Sequence, residues 1–344
     1  MTRIVGIETS CDETSAAVMD DITGEPLLRS LVILSQDVHR VFGGVVPEIA
    51  SRAHVTAIVP VVQEALAQAD TSFDQLDVIA VTTEPGLVGA LMVGLNYAKG
   101  VSLALDIPLV PVHHMEGHLF ATSIDEPLAN PPFTALLVSG GHTLLLDVPE
   151  WGDYRLLGST RDDAAGEAYD KVAKMLGLPY PGGRHVEALA RTGNPKQFRF
   201  SRPMVRRDTQ VGDPAYFDVS FSGLKTAVLN AVRASDDIER DRADIARGFQ
   251  DALVDTLVEK TARAASLYNR TRVVLGGGVA CNRALTEAIR ERMSSDVQVF
   301  APGPRLATDN AAMIARAGLF RYYQGERASL DHAARAAAPL PAHA

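Results

Sequence analysis

The strongest constraint on the fold is a grammar of apolar runs and turns that occurs twice. Residues 3–20 pass from an apolar run (Ile4, Val5, Ile7) through the polar turn Glu8 to Ser15 into a second run, Ala16 to Met19. Residues 133–148 repeat it: Ala135 to Val138, the turn Ser139-Gly140-Gly141-His142-Thr143, then Leu144 to Leu146. Short apolar runs bounded by turn residues predict strands. Each unit later adds a strand that enters a glycine turn, Val78 to Val81 before Glu84-Pro85-Gly86-Leu87 and Val273 to Leu275 before Gly276-Gly277-Gly278. One such turn proves little, because Gly reaches positive φ without steric cost wherever buried strands must turn. Four in matching order predict an α/β chain built by duplication.

At 344 residues and 47% apolar content the chain can bury two cores. Helices are expected at Pro47–Ala69, with apolar positions Val55, Ile58, Val59, Val62 and Leu66, at Leu87–Leu105, at Asp244–Ala265, and at Ala311–Tyr323; the resemblance given below implies that the last returns to the first domain. The predicted division is a first lobe over 1–110 with the closing helix at about 307–327, a second lobe over 111–306 with an inserted helical segment, and a flexible Ala/Pro/His tail over 328–344. Strand-like residues follow Arg3 at once, where a signal peptide would carry a long apolar region. The apolar run Leu87 to Leu95 is short for a membrane span. Two cysteines, Cys11 and Cys281, make no disulfide framework. A cytoplasmic protein without membrane association is expected.

His114 and His118 are four residues apart, which puts both imidazoles on one helix face, a spacing that suits two ligands of one ion and is equally common on ordinary helix faces. Glu116 argues against a zinc protease, whose glutamate must directly follow the first histidine. Asp309, ahead of the closing helix, is a candidate third ligand or simply a helix cap. Two imidazoles and a carboxylate would leave positions open for a catalytic ion, iron and zinc fitting equally. The turns at Ser139-Gly140-Gly141 and Gly276 to Asn282 offer converging backbone N–H groups for phosphate. Asp170 is either a ribose acceptor or a helical charge paired with Lys174, and Gly182-Gly183 form a turn in either case.

Strand–turn–strand units followed by alternating helices and strands resemble the ASKHA superfamily of actin, Hsp70 chaperones and sugar kinases: two lobes of duplicated RNase H-like domains with nucleotide in an interdomain cleft. A closer resemblance rests on Gly6 to Thr14, Gly43 to Glu48 with Ser51, Arg52 and His54, His113 to His118, Leu137 to Thr143, Asp163 to Ala168, Phe221 to Thr226, Gly276 to Val279 and Thr308 to Asn310. In this order they resemble the bacterial TsaD (Kae/Gcp) family of tRNA adenosine threonylcarbamoyltransferases.

The resemblance implies transfer of threonylcarbamoyl from threonylcarbamoyl-AMP to N6 of the adenosine next to the anticodon, in tRNAs reading codons that start with A, with release of AMP. It implies iron or zinc on His114, His118 and Asp309; an adenine nucleotide contacted by Leu137, Val138, Ser139, Gly140, Gly141, Asp170, Gly183 and Asn282; and a catalytic or cleft-shaping role for Asp12 and Glu13. The implied partners are tRNA, a smaller TsaB-type ASKHA paralogue, a TsaE-type P-loop ATPase and the synthase that makes threonylcarbamoyl-AMP. Glu84 stands where the family pattern has Gly, and Arg184-His185 follow Gly183 where proline and small residues are usual. A net charge of −9 disfavours broad capture of RNA. The run Arg191 to Arg207, with Lys196, Arg199, Arg202 and Arg206 and interleaved Phe198 and Phe200, is a local candidate surface. Competing readings are an ATPase or small-molecule kinase, a noncatalytic scaffold and, last, an O-sialoglycoprotein endopeptidase.

Overall fold

A computed structural model describes residues 1–340 except Arg206 and Arg207. The described residues divide into two compact units, one made of Met1–Pro127 with residues 308–340, the other of Leu128–Ala307. The first contains β1 (Thr2–Glu8), β2 (Glu13–Ile22), β3 (Glu25–Ser35), α1 (Pro47–Gln68), β4 (Val78–Glu84), α2 (Val88–Leu105), β5 (Leu109–His113) and α3 (His114–Asp125). The second contains β6 (Phe133–Val138), β7 (Thr143–Glu150), β8 (Asp153–Ser159), α4 (Ala165–Met175), α5 (Gly183–Ala190), α6 (Ser222–Ala234), α7 (Ile238–Leu267), β9 (Arg272–Gly276), α8 (Arg283–Arg292), β10 (Gln298–Phe300) and α9 (Pro304–Ala307). The closing helix α10 (Ala311–Tyr323) returns to the first unit.

Both sheets have five strands in one topology. In the first the order is β3-β2-β1-β4-β5, with the β1–β2 and β2–β3 pairs antiparallel and β4 and β5 added in parallel. In the second, β8-β7-β6-β9-β10 repeats the order and every strand direction. The duplication predicted from apolar runs is therefore present at the level of strand pairing. β1 and β6 are central strands buried on both faces, so their side chains read as continuous apolar runs, and Ile4, Val5, Ile7 and Leu137 are fully buried. Each contributes about 1.5–3 kcal/mol by leaving water.

α10 lies against β1 and β4 more closely than side chains allow: a Cβ on Gly6 of β1 would meet Ala311 O at 2.5 Å, and one on Gly318 would meet Ala80 Cβ of β4 at 2.4 Å. α3 packs on α10 as well, with Phe120 and Phe320 ring centroids 5.3 Å apart. This packing places α3 in the first unit, so the division falls at Pro127 and not near residue 110. α7 starts six residues earlier than the apolar period alone indicates, where the Asp237 side chain caps it by accepting from Arg240 N. α2 extends the apolar run Leu87–Leu95 to the Leu105 end expected from the sequence, and by length and composition alone it would span a bilayer. Leu95 and Ala98 on one of its faces sit in the core of the first unit.

The segment after α10, for which composition suggests a frayed tail, makes specific bonds through Ala338. Ala328 N donates to Leu109 O (2.8 Å) on the edge strand β5, Arg335 N to Thr83 O (3.0 Å), and Gly86 N to Ala336 O (3.2 Å). Lys99 Nζ donates to His332 O, and Arg335 pairs with Glu84. The segment covers an edge that would otherwise present unpaired backbone groups, and it gives the unusual Glu84 a partner.

Candidate functional site

β5 ends at His113, whose Nδ1 accepts from Met115 N and so caps α3. The next turn of α3 carries His114 and His118 on one face, both buried, their rings edge to face at 4.7 Å. Asp309, just before α10, places Oδ1 at 3.4 Å from His114 Nε2 and 3.2 Å from His118 Nε2. These spacings match the ~3.4 Å edge of a tetrahedron with arms of ~2.1 Å, the usual zinc–ligand distance. Among the described residues neither His118 nitrogen has a hydrogen-bond partner, although both are buried and Nε2 lies 3.2 Å from Asp309 Oδ1. An orphaned imidazole nitrogen aimed at a carboxylate and a second imidazole is the donor set a divalent cation needs.

Glu8, at the end of β1, was not legible as a site residue from its position in the motif. It is fully buried, and its Oε2 accepts from Thr82 Oγ1 (2.6 Å) and from His114 Nδ1 (3.0 Å) while Oε1 accepts from Ser10 N. The Nδ1 proton is held by Glu8, so a cation that displaced the Nε2 proton would meet the Nε2 lone pair on the side of Asp309, the tautomer a metal ligand requires. Burial pushes the Glu8 carboxyl up, but the His114 charge and the hydrogen bonds from His114 and Ser10 outweigh it and hold it below the usual range. Burial lowers the His114 imidazole, and Asp309 and Glu8 together raise it well above its ordinary value. Asp309 is held down against its burial by the two histidines. Three coupled groups thus carry two negative charges where His114 supplies the positive one.

Glu13, the first residue of β2, borders this cluster through Asp309, with Asp12 beside it in the preceding turn. His54 of α1 pins the turn: its ring accepts from Thr14 Oγ1 at Nδ1 (2.8 Å) and donates from Nε2 to Cys11 O (2.9 Å), a tautomer assigned from these partners. Burial, then Asp309 and Asp12, push the Glu13 carboxyl up to about 9. Without a cation it holds its proton at neutral pH and is a donor, not a base. The Cys11 thiol is pushed up by burial and by Asp12 and Asp309, so it is a packing residue and not a nucleophile. Glu116 points to Arg321 and not to the histidines: Arg321 Nε donates to its Oε2 at 2.8 Å and Nη2 to its Oε1 at 2.7 Å. The protease base is absent in geometry as in spacing.

In the second unit the β6–β7 turn closes by Ser139 N donating to His142 O (2.8 Å). Leu137 and Val138 are fully buried, main chain included, and stand behind the turn. Gly140, Gly141, Gly183 and Gly278 have open space where a Cβ would stand, whereas a Cβ on Gly166 would meet Ser139 O at 2.6 Å and one on Gly277 would meet Val138 O at 2.4 Å. The latter two glycines close the turn; the former leave its outer side bare. One face of α4 gathers the remaining residues: Gly166 against the turn, Tyr169 accepting from Asn282 Nδ2 (3.1 Å), and Asp170 Oδ1 accepting from Gly182 N (2.7 Å). Asn282 Nδ2 also donates to Gln250 Oε1, and its Oδ1 caps α8 through Leu285 N. Its amide is thus committed inside the unit. The 166/169/170/173 spacing is a helical signal that could have linked these residues in advance.

The basic segment differs from its sequence reading. Arg202 donates to Asp255 (2.6 Å) and to Phe200 O, Arg191 pairs with Glu187, and Phe200 is a core residue with Phe198 packed on that core. Its aromatics therefore anchor the segment. A surface pocket of about 350 Å³ lined by Phe198, Arg199, Arg202, Gly248 and Asp251 remains. Arg206 and Arg207 lie outside the described residues.

Two sheets of one order, each carrying its turns at the same places, define an α/β protein of ASKHA type. Component A of (R)-2-hydroxyglutaryl-CoA dehydratase from Acidaminococcus fermentans matches 94% of the chain and 99% of its own length at a TM-score of 0.56 and 15% identity. HypF of T. kodakarensis matches 94% of the chain and 48% of its own length at 0.63 and 16%. At such identities the likeness concerns the fold alone. A family model described as tRNA N6-adenosine threonylcarbamoyltransferase matches residues 27–316. Proteins of that name from Gemmatimonas aurantiaca and an Anaeromyxobacter species are 62% and 51% identical, covering 98% and 96% of this chain and 97% of each relative. The chain belongs to the tRNA N6-adenosine threonylcarbamoyltransferase family.

Proposed function

We infer that this chain transfers a threonylcarbamoyl group from threonylcarbamoyl-AMP to N6 of an adenosine in tRNA, the base next to the anticodon in tRNAs reading codons that start with A. Within the family, the observation that carries the reading is the spacing of His114, His118 and Asp309 as ligands of one ion. In the reaction N6 attacks the carbamoyl carbon and loses a proton, the bond from that carbon to the phosphate oxygen breaks, and AMP leaves with the bonding pair. Iron or zinc held by the three residues would polarise a carbonyl or phosphoryl oxygen. Glu8 fixes the His114 tautomer. Asp12 is the better candidate to accept the N6 proton, and the protonated Glu13 a candidate to donate a hydrogen bond.

The backbone of Ser139, Gly140 and Gly141 is assigned to the adenylate phosphate, with Gly183 offering its bare backbone and Asp170 and Asn282 holding the turns that shape the pocket. Leu137 and Val138, fully buried, would support the turn from behind. tRNA is the acceptor, with Lys196, Arg199 and Arg202 a candidate contact surface. A TsaB-type paralogue is a candidate to cover Val55 and Val59 of α1 and Val88 and Met92 of α2, apolar side chains exposed on two helices. A TsaE-type ATPase and the threonylcarbamoyl-AMP synthase complete the system.

The test is reconstitution: the chain with unmodified tRNA, threonine, ATP, bicarbonate and these three proteins, analysed for threonylcarbamoyladenosine by mass spectrometry. Product that depends on the chain supports the reading. Equal product without it sinks the reading.

A further inference from the structure

Glu116, rejected above as a protease base, lies on the helix that carries both histidines, and its partner lies on the helix that follows Asp309. α3 crosses α10 at Gly117, where a Cβ would meet Ile314 Cδ1 at 2.9 Å and Met313 Cγ at 3.1 Å. On one side of this crossing His114 and His118 reach Asp309, just ahead of the first turn of α10. Glu116 reaches Arg321 in its last turn, about 15 Å of helix further on. Both members are buried, Glu116 at 1% and Arg321 at 8% exposure, and Arg321 makes three hydrogen bonds to the carboxylate. Its remaining arm pairs with Glu326, whose N–H donates to Arg321 O (3.0 Å).

We propose that the Glu116–Arg321 pair is a positioning device for the metal centre, setting the roll of α3 about its own axis and with it the reach of His114 and His118 toward Asp309. The proposal rests on the metal reading given above. Apolar packing, at the Gly117 crossing and between Phe120 and Phe320, is non-directional and so fixes small rolls of α3 about its axis less sharply than hydrogen bonds do. With side-chain ends about 5–6 Å from that axis, a roll of about 10° moves Nε2 by about 1 Å. Metal sites tolerate only about 0.2 Å. Clasps at both ends of α10 remove that freedom, since a roll that draws the histidines from Asp309 also drives Glu116 out of register with the Arg321 fork. Stability alone is a poor reason for such a pair, because buried ion pairs are often replaceable by apolar residues without loss, and fixing a register is their best-attested use.

The test is zinc affinity of the metal-free protein, read by competition with a chromophoric chelator at a temperature where circular dichroism shows each variant folded. Glu116→Gln keeps the shape and removes the charge; the expected affinity is about 10–100-fold weaker. Arg321→Lys keeps the charge and loses the fork, with an expected loss of about 3–10-fold. Affinities within about twofold of wild type for both variants overturn the proposal, whatever happens to their unfolding temperatures. Equal binding by wild type and His118→Ala overturns the metal reading instead, so the two failures are told apart. Should Glu116→Gln not fold, Glu116→Asp, which shortens the reach and keeps the charge, is read on the same scale.

Discussion

The turn after β1 and the turn after β6 occupy the same place in two sheets of identical strand order, yet they carry opposite chemistry. The first is dense with acids beside a histidine pair: burial and the neighbouring carboxylates push Glu13 up, while the histidines hold Glu8 and Asp309 down against their burial. The second is nearly without side chains, and Gly140 and Gly141 leave backbone N–H groups beside open space. One suits a cation and the other an anion. Strand order sets where a turn lies, and the residues in the turn decide what it can hold, so duplication of a frame need not duplicate a site.

The largest expected departure from this contrast comes from Glu8→Gln. It keeps the shape and loses the charge that holds the His114 Nδ1 proton, so metal affinity measured by chelator competition should fall about 10–100-fold. Gly166→Ala probes the other turn: a Cβ 2.6 Å from Ser139 O should cost about 1–3 kcal/mol in urea unfolding. Gly140→Ala, with open space at its Cβ, should change stability by less than about 0.5 kcal/mol. Equal costs would mean that the turn is not shaped as described.

Acidity separates the two turns further. The folded chain keeps the Glu13 proton up to about pH 9, whereas the unfolded chain releases it near the ordinary value of 4.5. Between those values the unfolded state binds fewer protons, so the Glu13 contribution makes the metal-free protein less stable as pH rises from 4.5 to 9. His114 acts in the same direction above its unfolded value, because its raised affinity is favourable only while it is protonated. Glu13→Gln should flatten the fall in unfolding free energy over this range by up to about one proton, and an unchanged slope would remove Glu13 from the cluster. The smallest effect is expected in the basic segment. Arg202 is already tied to Asp255, so Arg202→Glu should weaken tRNA binding in a salt titration by only about threefold.

What was legible in the sequence follows the range of the interactions. The strand–turn–strand units and the 114/118 pair are local patterns, and they reappear as the two sheets and the face of α3. Asp309 was legible only through resemblance, since no local rule brings position 309 to position 114. Glu8 was not legible, because a glutamate ending a strand looks like a solvated turn residue until Thr82 and His114 are seen beside it, 74 and 106 residues away. The tail from Ala328 was misread for a related reason: its bonds are mostly backbone bonds to β4, β5 and the Gly86 turn, which leave no periodic trace in composition. Phe198 and Phe200 misled in the other direction, since interleaved aromatics serve a core and a stacking surface equally well until burial decides.

Metal content of the purified chain, determined alongside the reconstituted transfer for wild type and His118→Ala, tests the account most directly. Wild type should hold about one iron or zinc ion per chain, and His118→Ala should lose both the ion and the threonylcarbamoyladenosine product while remaining folded. Undiminished product from a His118→Ala protein free of metal would contradict it.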